Sequence, residues 1–357
     1  MTYRILTINP GSTSTKIAIF ENETNVFQKN IKHSVEELSK FDSIASQYEF
    51  RKHKVLEVLK ENHQEINKID CIVGRGGLLK PITSGIYEVN EDMIHDLHNP
   101  PMGEHACNLG GLIASDIAKM LKGVNAYIAD PVVVDELEEV ARISGHPKFK
   151  RVSIFHALNQ KAVARRYAKE KNRKYEDCNL IVAHLGGGVS VGAHKKGKVI
   201  DVNNALDGEG PFSPERAGTL PVGQLAKLCF SGEYKLAEVK QMITGKGGFA
   251  AYLGTNDALE VEKKAETDPY FSLISNAMAY QIAKSIGEMA VVLDGKVDVI
   301  ILTGGIAYDE KFCAYIEEKT KFIAPIKRYP GEDEMQALAM NGLRIMNKET
   351  ENLIYKK

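Results

Sequence analysis

The chain has no tryptophan, only five cysteines in 357 residues, and a formal net charge of -1. Each scarcity excludes something. Cys71, Cys107, Cys178, Cys229 and Cys313 include no Cys-x-x-Cys spacing, and an odd, scattered set fits free thiols in a reducing compartment. Cys71 and Cys229 stand among apolar neighbours and are expected in the core. The ten histidines contain no His-x-x-x-His pair, which argues against a zinc centre. A balance so near neutrality offers no long-range field for nucleic acid or an anionic membrane, so any phosphate binding must be local. No apolar run approaches the roughly 18 residues that cross a bilayer, and the opening Met-Thr-Tyr-Arg-Ile-Leu-Thr-Ile reads as a strand rather than a signal peptide. The expectation is a cytoplasmic protein with small-molecule partners, no nucleic acid and no membrane.

What is present is a series of glycine turns, each directly after a strand. Between the β-branched runs Ile5 to Ile8 and Lys16 to Phe20 lies Asn9-Pro10-Gly11-Ser12-Thr13-Ser14-Thr15-Lys16. Gly11 lets the backbone approach an anion, the four hydroxyls donate hydrogen bonds and Lys16 adds a point charge. It is not a Walker A loop, which needs a second glycine before the lysine and opens a helix. The residues after it favour a strand, so a hairpin is expected. An ordinary polar hairpin turn is the alternative for this segment alone. A second strand, turn and strand follows at Asn179 to His184, Leu185-Gly186-Gly187-Gly188 and Val189 to His194. A third apolar run, Val297 to Leu302, ends in Thr303-Gly304-Gly305-Ile306-Ala307. Three such turns suggest a nucleotide held between two related halves.

Length suits two domains of about 150 to 200 residues each. Strands near 3–8, 16–20 and 26–31 are followed by alternating helices and strands, an α/β pattern. The boundary is placed near 150, giving 1–150 with about 331–357 and 151–330. Ser272 to Leu293 and Glu332 to Met346 have helical apolar spacing.

The order Ile-Asn-Pro-Gly-Ser-Thr-Ser-Thr-Lys at 8–16, Gly74-Arg75-Gly76-Gly77, Leu97-His98-Asn99-Pro100, Phe155-His156, His184-Leu185-Gly186-Gly187-Gly188, Glu215-Arg216-Ala217-Gly218 and Thr303-Gly304-Gly305 resembles the acetate and butyrate kinases, the acetokinase family, along the whole chain. The resemblance implies two ribonuclease-H-like domains of the actin-like ATPase superfamily with a nucleotide cleft between them, ATP/ADP and Mg2+ as cofactors, and a homodimer. It implies reversible phosphorylation of butyrate or a similar short-chain carboxylate. It places Asn9, Gly11, Ser12, Ser14 and Lys16 in a first phosphate motif, His184 and Gly186 to Gly188 in a second, and Gly304, Gly305 and Ile306 in an adenosine motif. An acidic residue before the terminal helix would serve magnesium, best matched by Glu334, although Glu332 and Asp333 stay open.

The chemistry agrees. A carboxylate acceptor, with a pKa near ~4 to 5, is already an anion and needs no general base. It needs cations and donors that relieve repulsion as charge spreads over three equatorial oxygens. Arg75 and Arg216 are the expected clamps, and His156 the expected donor to the transferring group. Asp130 would position Arg216 or the magnesium shell, with an Asx-turn or helix-cap role as the alternative. Acetate kinases usually follow the catalytic His with Gly-Thr-Ser-His, whereas this chain has Ala157-Leu158-Asn159-Gln160, and it has Gly76-Gly77 where they carry bulkier residues. Losing that bulk should deepen an acyl pocket lined by Gly76, Gly77, Leu97, His98 and Phe155. Two more buried methylenes at about 0.8 kcal/mol each would favour a four-carbon acid roughly fifteenfold. An acetate- or propionate-preferring kinase and a non-catalytic ATP-binding scaffold are the alternatives.

Overall fold

The computed structural model describes residues 2–356; Met1 and Lys357, the outer limits of the expected first domain, lie outside the described residues. The chain divides into two units, Met1–Val134 with Asp333–Lys357, and Asp135–Glu332. Residues 135–150 pack with the second: the Glu138 amide donates to the Ile200 carbonyl, and Arg142 pairs with Asp135.

The first unit is built on a seven-stranded sheet. Its strands are β1 (Arg4–Pro10), β2 (Ser14–Glu21), β3 (Thr24–Lys32), β4 (Cys71–Arg75), β5 (Ile86–Glu88) and β6 (Asn125–Ala129), with the last strand of the chain, Leu353–Ile354, added at one edge. β1, β2 and β3 form an antiparallel meander, and β4 and β6 run parallel to β1. β1 is buried almost throughout because both its faces are covered. The helix Asn108–Lys119 packs on β4 and β6, and Glu334–Met346 packs on β1 and β4. β3, mostly exposed, carries Lys29 and Lys32, which discourage pairing with another edge.

The second unit repeats the plan. Strands β7 (Asn179–Leu185), β8 (Val189–Lys195) and β9 (Lys198–Val202) form an antiparallel meander; β10 (Val299–Gly304) and β11 (Ile326–Pro330) run parallel to β7. The helix Pro269–Val292 opens with proline at its first turn, where no amide hydrogen is missed, and an Asp268 cap. It packs on β7 and β8, while Ala157–Glu170 packs on β7 and β10. Each unit thus has the order third, second, first, fourth, fifth in its shared core of strands, and the glycine turns fall at corresponding ends of β1 and β7. No helix among the described residues is long and apolar enough to cross a membrane.

Cys71 is buried as expected, but Cys229 is exposed. It ends the helix Val222–Cys229, none of whose residues is buried. Local apolar company in the sequence did not produce a core there.

Candidate functional site

In the first unit, the turn between β1 and β2 is closed by the Gly11 amide donating to the Ser14 carbonyl at 2.7 Å. Behind it lies Arg51, a fully buried arginine whose guanidinium donates to the carbonyls of Gly11 (2.7 Å), Ser12 (2.9 Å) and Ser14 (3.1 Å), and to Gln47 Oε1. Burial pulls its pKa down to about 10, so it remains a cation at neutral pH. The turn's carbonyls therefore point inward to Arg51. Ser12, Thr13 and Lys16 are exposed and Ser14 half-buried, which leaves their donors toward solvent. Thr15 is a correction to the four-hydroxyl cradle: it is buried, with its hydroxyl 2.9 Å from His33 Nε2. Burial first, and the Arg51 charge second, pull the His33 pKa down to about 4. Arg51 was missed by the motif reading. The available signal was a charged residue leading the stripe Arg51, Val55, Leu59, the buried positions of its helix.

At the end of β4, Arg75 donates through Nη1 to Glu334 Oε1, and Asn9 Nδ2 donates to Glu334 Oε2 at 2.5 Å. Three expected site residues, from the ends of β1 and β4 and the start of the last helix, thus meet. The three neighbouring acids separate. Glu332 lies 3.0 Å from His184 Nε2, Asp333 caps the helix through the Gln336 amide, and Glu334 joins Arg75 and Asn9.

The glycine pair after Arg75 overturns the pocket expectation. A Cβ on Gly76 would stand 2.6 Å from Pro131 Cβ, and one on Gly77 would stand 2.6 Å from Asn108 Cα. The missing volume is filled by the protein itself and gives no depth to an acyl pocket. Leu97 and Phe155, expected as walls, are 1% and 2% exposed, and Leu97 packs in the core beside Met93 and Ile113. His98 is exposed, its ring edge-on to Tyr48.

Asp130 ends β6 with φ of 39°, a left-handed conformation uncommon outside glycine. Its Oδ1 accepts from the Ser84 hydroxyl at 2.6 Å and the Gly85 amide at 3.0 Å. These bonds fasten it to the residues leading into β5 within the first unit, rather than to its own turn, and strain held at a strand end is a recurring feature of sites.

In the second unit, His156 and His184 stack with ring centroids 3.7 Å apart and planes 8° from parallel. His156 immediately precedes the helix Ala157–Glu170, and its Nδ1 lies 2.9 Å from Ser190 Oγ; His184 Nδ1 lies 2.8 Å from Asn159 Oδ1. The Gly186–Gly188 turn is held by the Ser213 hydroxyl donating to the Gly187 carbonyl at 2.7 Å. Arg216 lies against the turn: a Cβ on Gly188 would come within 2.7 Å of its Cζ. Its Nη1 donates to the Ala205 carbonyl at 2.6 Å, while its Nε is buried with no partner. Burial lowers its pKa, opposed by Glu215, whose carboxylate is 3.9 Å away. A buried cationic N–H left unbonded is what an anion would satisfy.

Gly304, with φ of 92°, lies against the Leu185 backbone, whose carbonyl carbon a Cβ would meet at 2.7 Å. Gly305 is exposed and open around its Cβ position. Ile306 is buried in the core, which leaves its backbone rather than its side chain for a nucleotide. The second unit's histidine and glycine positions named from sequence therefore gather around β7, while Asn159, Gln160 and Ser190, which orient the histidines, were not singled out as site residues.

Comparisons with known proteins bear on this arrangement. The sequence pattern of the acetokinase family matches residues 149–321. Butyrate kinase 2 of Clostridium acetobutylicum is 60% identical over 357 residues, covering 100% of both chains. Butyrate kinase 1 of the same organism is 58% identical over 355 residues, covering 99% of this chain and 100% of its own. Among solved structures, an acetate kinase of Porphyromonas gingivalis superposes with a TM-score of 0.79 at 20% identity, over 96% of this chain and 100% of its own. That likeness establishes the two-domain actin-like ATPase fold.

Proposed function

The chain belongs to the acetokinase family, and from that premise we propose that it reversibly transfers the γ-phosphoryl group of ATP to butyrate, giving butyryl phosphate and ADP. The observation that carries the reading is identity of 60% with a butyrate kinase, sustained from end to end. In the proposed step the bond between Pγ and the bridging oxygen of ADP breaks as a carboxylate oxygen of butyrate bonds to Pγ. No proton need leave the acceptor. The acids nearest the expected clamps fit that requirement, since Glu334 is engaged by Arg75 and Asn9 and Glu215 faces Arg216.

In this reading Arg75 and Arg216 offset charge on the acceptor and the transferring group, and His156 donates to an equatorial oxygen. Ser12, Ser14 and Lys16, and the amides of Gly186 to Gly188, are the groups that would hold nucleotide phosphates. Glu334 would hold magnesium, whose charge offsets that of the phosphates. Such a cation would be carried mainly by phosphate oxygens and water with one carboxylate. A homodimer is part of the proposal, read by sedimentation velocity.

With the Gly76-Gly77 argument removed, chain-length preference rests on the relatives. Acyl phosphate trapped as the hydroxamate, with ATP and magnesium over acids from acetate to hexanoate, tests it. A maximum at butyrate is expected; a maximum at acetate overturns the choice of acid, and no product with any acid overturns the reaction.

A further inference from the structure

Behind His156 runs a chain of buried groups whose donors and acceptors allow only one direction. Gln160 Nε2 lies 3.1 Å from the Ser190 carbonyl, which can only accept, so that atom is the amide nitrogen. Gln160 Oε1 must then accept, and its partner at 2.9 Å is His194 Nε2, which therefore carries hydrogen. His194 is fully buried, and burial together with Lys161 and Arg165 holds its pKa well below the usual value, so its ring is neutral and Nδ1 accepts. The Tyr175 hydroxyl, 2.7 Å away, donates to that Nδ1.

At the other end, Ser190 Oγ receives Gln160 Nε2 at 2.8 Å and the His156 backbone amide at 3.4 Å. Both oxygen lone pairs are then engaged. The hydroxyl hydrogen is left for His156 Nδ1 at 2.9 Å.

We propose that this chain, Tyr175 to His194 to Gln160 to Ser190 to His156, fixes the neutral His156 ring with its hydrogen on Nε2, and that Gln160 and Ser190 are positioning residues for phosphoryl transfer. The tautomer stands on hydrogen-bond geometry alone, whereas its effect on transfer rests on the role given to His156 above. The stacked His184 has separate partners: its Nδ1 lies 2.8 Å from Asn159 Oδ1 and its Nε2 lies 3.0 Å from Glu332. Asn159 and Gln160, adjacent residues on the first turn of one helix, thus each serve one of the two parallel rings. These are two of the positions at which this chain departs from the acetate-kinase sequence.

The test is long-range proton–nitrogen NMR of protein labelled with nitrogen-15 histidine, with His156 assigned from His156→Gln, read beside steady-state kinetics. The wild-type ring should show a protonated Nε2 and an unprotonated Nδ1. Ser190→Ala should move both resonances toward a tautomer average and lower kcat about tenfold, a fraction of the ~100- to 1,000-fold cost of deleting a transition-state donor, with KM for ATP and butyrate within about twofold. Gln160→Met should do the same to a smaller degree. A wild-type Nδ1–H ring, or a ring unmoved in Ser190→Ala, overturns the chain. A shifted tautomer with full turnover overturns its part in transfer, and full turnover in His156→Gln overturns the role of His156 itself. Should either variant fail to fold, the wild-type spectrum alone decides the tautomer.

Discussion

The turn after β1 and the turn after β7 occupy equivalent places in two sheets of the same strand order, yet they present different chemistry. The first offers side chains: Ser12, Thr13 and Lys16 face out while a buried guanidinium gathers the turn's carbonyls from behind. The second offers backbone, with an arginine pressed where a Gly188 side chain would stand. In the first turn the cation shapes the loop and is shielded from ligand. In the second the cation lies against the glycines with a buried N–H unbonded. A repeated fold therefore fixes where the two turns fall, and local side chains decide whether hydroxyls, or amides and an arginine, line them.

The comparison can be broken by substitution. Arg216→Ala should cost about 1,000-fold in kcat with thermal stability nearly unchanged, because the lost interaction is made with developing charge; steady-state kinetics beside a melting curve checks it. Next comes acidity beneath the first turn. A His33 pKa lowered to about 4 from 6.5 means the unfolded chain binds a proton first as pH falls, so stability present above pH 6.5 is lost as pH drops toward 4. The loss is at most about 3 kcal/mol. Urea unfolding of the wild type and His33→Gln across that window should show the wild type losing more.

The glycines divide next. Gly188→Ala must displace the Arg216 guanidinium and should lower kcat about 100-fold. Gly11→Ala, whose Cβ would find its nearest neighbour at an ordinary 3.6 Å, should stay within about threefold. Between these, Arg51→Lys cannot reproduce the guanidinium fork and should raise KM for ATP about tenfold while kcat changes little. Equal penalties at the two glycines would erase the contrast between the turns.

Much of this was legible in the sequence because it is local. The β-branched runs flanking glycine turns specify hairpins whatever surrounds them, and β1, β2, β7 and β8 lie where that pattern puts them. The expected Asn9, Arg75 and Glu334 meet because each stands at the end of an element packed in the same unit. The rest depends on partners remote in the chain. Gly76 and Gly77 read as removed bulk until Pro131 and Asn108 are found occupying the space. Arg51 is a helix residue whose partners are three carbonyls some 40 positions away. Cys229 looks like core only until its helix is seen with none of its residues fully buried.

The most direct measurement is phosphorus-31 NMR of ATP, magnesium and butyrate with the protein. The account predicts that the γ-phosphoryl signal gives way to an acyl phosphate resonance in step with ADP, and that Arg216→Ala loses this conversion while remaining folded. Release of inorganic phosphate alone, at a rate indifferent to butyrate, would contradict it.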